Sequence, residues 1–138
     1  SLLPSLLARR SGRAGYIEMS VKTRKLIGSP GFPAAEERTR AHAAETYDRG
    51  VTASGTLRQM VAVLTQPNRS PKLRALKMPA LVVHGLDDKM VHASGGRATA
   101  AAIHGAELLL IDGMGHDLPP ALFETFADGI RRTADRAR

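Results

Sequence analysis

The sequence predicts an α/β fold in which a helical region, residues 1–77, is followed by a βαβα unit of a parallel sheet, residues 78–138. Two observations predict it. Before Lys77, apolar residues recur at helical spacing between glycine and proline breaks. After Pro79, two short continuous apolar runs, at 80–83 and 108–111, alternate with helix-forming stretches, the grammar of parallel strands joined by a crossover helix.

The first helix is expected over residues 16–27. It must stop at Gly28-Ser29-Pro30-Gly31-Phe32-Pro33, where prolines remove backbone donors and glycines favour turns. A second helix over 34–49 ends at Gly50, because a left-handed terminus favours a residue without Cβ. A third is expected over 56–64. Residues 80–83 then read as a strand covered on both faces, stopping at His84-Gly85. The alanine-rich stretch 94–103 is helix-forming, Gly105 ends it, and residues 107–111 supply the second strand. A closing helix over 120–132 spaces Leu122, Phe123, Phe126 and Ile130 to cover one face. Two parallel strands need neighbours on their edges and helices on both faces, so these residues are expected to be the C-terminal portion of a longer protein.

At 138 residues, 43% hydrophobic and 24% charged, the composition is that of a globular protein rather than a disordered one. No apolar run approaches the roughly 18 residues of a membrane span. Residues 1–10 open on apolar rather than basic residues, the reverse of a secretory signal. The absence of cysteine excludes disulfides and thiolate metal sites and fits a reducing compartment, so a cytoplasmic location is expected. The net charge of +7 is unevenly spread. Residues 1–77 hold 14 Lys and Arg against 5 Asp and Glu, and residues 78–138 hold 6 against 8, together the 20 and 13 of the whole chain. The basic residues are interspersed with Ala, Glu and Leu, without a dense run or aromatics for base stacking. They read as a solvated helical face, and no nucleic-acid partner is expected.

Each strand ends in a polar loop, His84-Gly85-Leu86-Asp87-Asp88-Lys89-Met90-Val91 and Asp112-Gly113-Met114-Gly115-His116-Asp117-Leu118-Pro119. Ligands of open parallel sheets bind beyond the carboxyl ends of the strands, which places Asp88 and His116 on one rim. A base that activates a hydroxyl must be a neutral imidazole with one ring nitrogen facing the nucleophile and the other held by a carboxylate. Asp88 is the candidate to hold His116, and the glycines around Met114 permit the tight turn that aims it. Asp87 is expected to hydrogen-bond the turn, His84 to pack under the loop, and Asp117 to be exposed or to cap the next helix. Met90 and Met114 either line a pocket or fill gaps between the strand ends. His42, His92 and His104 lack metal-ligand spacing, so no metal is expected.

Residues 79–91 resemble the acid-bearing strand and turn of α/β-hydrolases, an apolar strand followed by Gly-x-x-Asp-x-x-Val-Pro, with His92 where that family often has proline. The match implies that the catalytic acid is Asp88 and not Asp87. Ile111-Asp112-Gly113-Met114-Gly115-His116 is similar to the family's Gly-x-Gly-His turn and implies His116 as the catalytic histidine. The acid also precedes the histidine, as in the family's Ser, Asp, His order. The resemblance covers residues 78–134, while residues 1–77 are similar in length, helicity and position to the family's helical cap. It implies the C-terminal part of an α/β-hydrolase fold acting on small carboxylic esters or related acyl substrates, with no cofactor. No Gly-x-Ser-x-Gly elbow occurs: Ser54 follows Val51-Thr52-Ala53, and Ser94 precedes Gly95-Gly96 at a helix start. The nucleophilic serine is therefore expected upstream, and these residues alone are expected to have negligible triad activity. Two alternatives stay open, an aspartate-nucleophile hydrolase of the haloalkane dehalogenase-like or epoxide hydrolase-like kind and a noncatalytic truncated hydrolase segment.

Overall fold

The computed structural model describes residues 12–137, which form two compact units. One comprises residues 12–26 with Ala35–Pro67, the other Ile27–Ala34 with residues 68–137. Residues 27–34 and 68–77, which the sequence groups with the helical half, thus pack with the strands.

The first unit is helical. Helix α1 (Gly12–Ile27) and helix α2 (Glu36–Asp48) run antiparallel, since Arg13 pairs with Asp48 at one end and Lys25 with Glu36 at the other. Arg13 grips Asp48 through two 2.8 Å bonds, and Arg40 bridges Glu18 and Glu36. The rings of Tyr16 and Tyr47 meet at 5.6 Å. The ion pairs are solvent-exposed and fix register more than they stabilise. Val21 and Ala43 are the buried apolar side chains of the two helices. Gly50, at φ 101°, takes the left-handed turn expected beyond α2.

Helix α3 (Ala53–Leu64) begins three residues before the sequence pattern suggests, because Thr52 caps it, its hydroxyl accepting from the Gly55 amide at 3.1 Å. Thr52→Ala is expected to lower stability by about 1 kcal/mol, read as a shift of the urea midpoint without a change in slope.

The second unit carries the strands. A five-residue helix, α4 (Ser70–Arg74), with proline in its first turn, precedes them. It is too short for a periodic signal, and the sequence did not reveal it. Strand β1 (Leu81–Gly85), helix α5 (Ala93–Ala102) and strand β2 (Glu107–Ile111) form a parallel βαβ unit in which Leu81 pairs with Glu107 and Gly85 with Ile111. A 3₁₀ turn (Pro120–Leu122) leads into helix α6 (Phe123–Asp135). The observed class is therefore the α/β one expected, a helical region followed by βαβα. Ala100, Ile103, Met114 and Leu122 are buried, and Pro119 is the most enclosed large side chain.

Two expectations are corrected. The strands are covered only in part, every residue from Leu81 to His84 and throughout β2 being half-buried, because among the described residues the sheet has just these two strands. The packed line of α6 is only in part the one expected, since Phe123 and Ile130 are 47% and 64% exposed. Leu122 is buried and Phe126 half-buried as expected, while Gly129, buried, and Thr133, half-buried, complete their line. A Cβ on Gly129 would stand 2.8 Å from Leu81 Cδ2, so the helix meets β1 at a residue without a side chain, and Ile130 is turned outward. Arg132 and Arg136 tether α6 to the strand starts, through Glu107 at 2.7 Å and the Ala80 carbonyl at 3.2 Å. Among the described residues, no helix is long and apolar enough to cross a membrane.

Candidate active site

The two strand-end loops are joined main chain to main chain. The Leu86 amide donates to the Ile111 carbonyl at 2.9 Å and the Asp87 amide to the Met114 carbonyl at 3.0 Å. Asp87 Oδ2 accepts from the Gly113 amide at 2.9 Å, so this carboxylate serves the turn. No side chain fits at Gly85, whose Cβ would stand 2.2 Å from the Met114 carbonyl oxygen. Gly113 has a φ of 71°, the left-handed value that the turn before His116 requires.

This joined scaffold orients Asp88. Its Oδ1 accepts from the Met90 and Val91 amides at 2.8 and 2.9 Å, which leaves Oδ2 to face the ring of His116, 2.8 Å from Nδ1. The Asp88 side chain is 7% exposed and that of His116 42%. Burial pushes the Asp88 carboxyl up, but the Val91 amide, His116 and the Met90 amide together outweigh it and hold the group below its ordinary value of 3.8. A depressed carboxyl stabilises the fold wherever pH exceeds the unfolded value, and that contribution is lost as pH falls through the folded value. The difference in urea midpoint between wild type and Asp88→Asn should therefore be constant near neutrality and shrink below about pH 4.

A carboxylate can only accept, so Nδ1–H of His116 donates to it, and in the neutral ring Nε2 is left as the free lone pair. The ring borders a cavity of about 350 Å³ whose walls include Val83, His84, Val91, Met114 and Leu118. Met114 is buried and lines this space, whereas Met90 is 51% exposed. His84 packs under the acid loop, its Nε2 bound to the Val91 carbonyl at 2.9 Å and lying 4.0 Å from Asp88 Oδ2. His92 caps α5, its Nδ1 accepting from the Ser94 amide at 3.3 Å. His42 and His104 are exposed.

No protein-family model matches the chain, and no curated protein matches it. Among solved structures the chain is similar to a bromoperoxidase from Bacillus anthracis, at 23% identity and a TM-score of 0.49, over 91% of this chain and 46% of that one. The chain thus spans about half the length of that structure.

Sequence reasoning missed what lies beneath the histidine. The segment read as a simple break between two helices runs against the His116 loop: the Gly31 amide donates to the Gly113 carbonyl at 2.9 Å, and the His116 amide to the Ile27 carbonyl at 2.7 Å. Ser29 is buried, its hydroxyl accepting from the Gly115 amide at 2.9 Å and donating to Asp117. Asp117, expected to be exposed or a helix cap, is instead half-buried against this serine. The signal was the matching pair of small-residue motifs, Gly28-Ser29-Pro30-Gly31 and Gly113-Met114-Gly115, which let two backbones approach closely.

Proposed function

We propose that these residues supply the base and the orienting acid of an acyl-transfer hydrolase acting on carboxylic esters, the nucleophile coming from a segment outside this sequence. The observation that carries the reading is the 2.8 Å contact of His116 Nδ1 with an Asp88 carboxylate already fixed by two backbone amides. In this reading Nε2 takes the proton of a serine hydroxyl as its oxygen attacks the ester carbonyl. The bond to the leaving oxygen then breaks, and the imidazolium returns the proton to that oxygen. Water repeats the cycle on the acyl-enzyme and releases the acid. Asp88 remains ionised throughout, holding the tautomer and stabilising the imidazolium. The apolar cavity walls suit the hydrocarbon part of a small ester.

The test is hydrolysis of p-nitrophenyl butyrate by the full-length protein, together with labelling by a fluorophosphonate, which reacts with an activated serine. Turnover and labelling that both require His116 support the proposal. Turnover untouched by His116→Ala sinks it, and turnover without labelling points to the aspartate-nucleophile alternative.

A further inference from the structure

The imidazole of His116 is held on its Asp88 side by a single bond, so its aim depends on where the main chain places its Cα. That main chain is held from below by residues 27–31. Gly113, Gly115, His116 and Asp117 each bond to this segment. The two backbones are in direct contact, since a Cβ on Gly115 would stand 2.3 Å from the Gly28 carbonyl oxygen. Ser29 places a buried side chain within this contact. It is 5% exposed, and its hydroxyl is used in both directions, as acceptor from Gly115 and donor to Asp117.

We propose that Ser29 is a positioning residue for the His116 base, its buried hydroxyl locking the histidine loop at the height where the ring meets Asp88. The proposal rests on the acid–base reading above. Ser29→Ala leaves the Gly115 amide without its acceptor and turns a methyl group toward the Asp117 carboxylate. The loop then relaxes away from residue 29 or admits water, and the direction of Nε2 spreads. Small misplacements of a catalytic group are costly because the reacting atoms must be held in near-attack geometry.

In the full-length protein, Ser29→Ala is expected to lower kcat for p-nitrophenyl butyrate by roughly 10- to 100-fold with KM within about twofold. Ser29→Thr, which keeps the hydroxyl, should recover part of the loss. A second readout is independent of turnover: the His116 Nδ1–H proton resonance should be broader in Ser29→Ala than in wild type, through faster solvent exchange. Unchanged kcat and an unchanged resonance in Ser29→Ala, with His116→Ala inactive, would overturn the positioning role while leaving the acid–base reading intact. Activity that survives His116→Ala sinks that reading instead, and the resonance alone then decides the lock. Should Ser29→Ala fail to fold, Ser29→Cys, similar in size but a weaker donor, is judged by the same criteria.

Discussion

On the proposed acid–base reading, His116→Ala in the full-length protein is expected to lower kcat for ester hydrolysis by on the order of 10⁴- to 10⁶-fold, and Asp88→Asn by about 10⁴-fold. The two losses should not add. Without the imidazole there is no base for the carboxylate to orient, so the double variant should be no slower than His116→Ala. The reason for so large a loss at Asp88 lies in the geometry. Asp88 Oδ1 is occupied by the Met90 and Val91 amides, and Oδ2 alone fixes the proton on Nδ1 of His116. An asparagine in the same pose can turn its NH₂ toward Nδ1, moving the ring proton to Nε2 and removing the lone pair to which the proposed mechanism assigns the serine proton. The measurement is kcat and KM for the three variants. Because the variants alter a proton-transfer step, KM should stay close to wild type. Additive losses would mean that the two residues act separately and that their 2.8 Å contact has no mechanistic weight.

How far the sequence discloses this site depends on the range of the interactions involved. Asp88 and His116 were legible because each stands a few residues beyond an apolar strand, and strand ends in a parallel sheet share one rim. Asp87 was legible as a turn neighbour for the same local reason. Ser29 was not, since its partners Gly115 and Asp117 lie 86 and 88 residues away and no periodicity spans that separation. The face of α6 was misread at Phe123 and Ile130 because helical spacing finds an apolar stripe but not which edge of it meets the sheet. Gly129 decides that edge by offering no side chain against Leu81, and apolar pattern reasoning gives glycine no weight. The cap of α3 was missed by three residues because Ala53, Ser54 and Gly55 carry no apolar signal, although Thr52 ahead of them is a standard capping type.

The same backbone approach yields the largest expected loss of stability. Gly85→Ala would place a methyl group 2.2 Å from the Met114 carbonyl oxygen, 2.6 Å from its carbonyl carbon and 2.8 Å from the Gly115 oxygen. All three are main-chain atoms, so no flexible side chain can swing aside, and relief requires the Met114–Gly115 peptide to leave β1. That movement breaks the Asp87 amide bond to the Met114 carbonyl and pulls His116 from Asp88. Overpacking against side chains costs about 1–3 kcal/mol, and against fixed backbone the upper end or more is expected, here about 3 kcal/mol and a Tm lower by roughly 10 °C. Gly95→Ala is the control. Its Cβ would meet only Val91 Cγ1 at 3.6 Å, an ordinary contact, on an exposed position of α5. There the methyl removes unfolded-state freedom without a clash, and the chain should gain about 0.5 kcal/mol. Thermal melts of the two variants should therefore move in opposite directions. If Gly85→Ala melted with wild type, the strand-end loops would not be in the contact that brings Asp88 and His116 together.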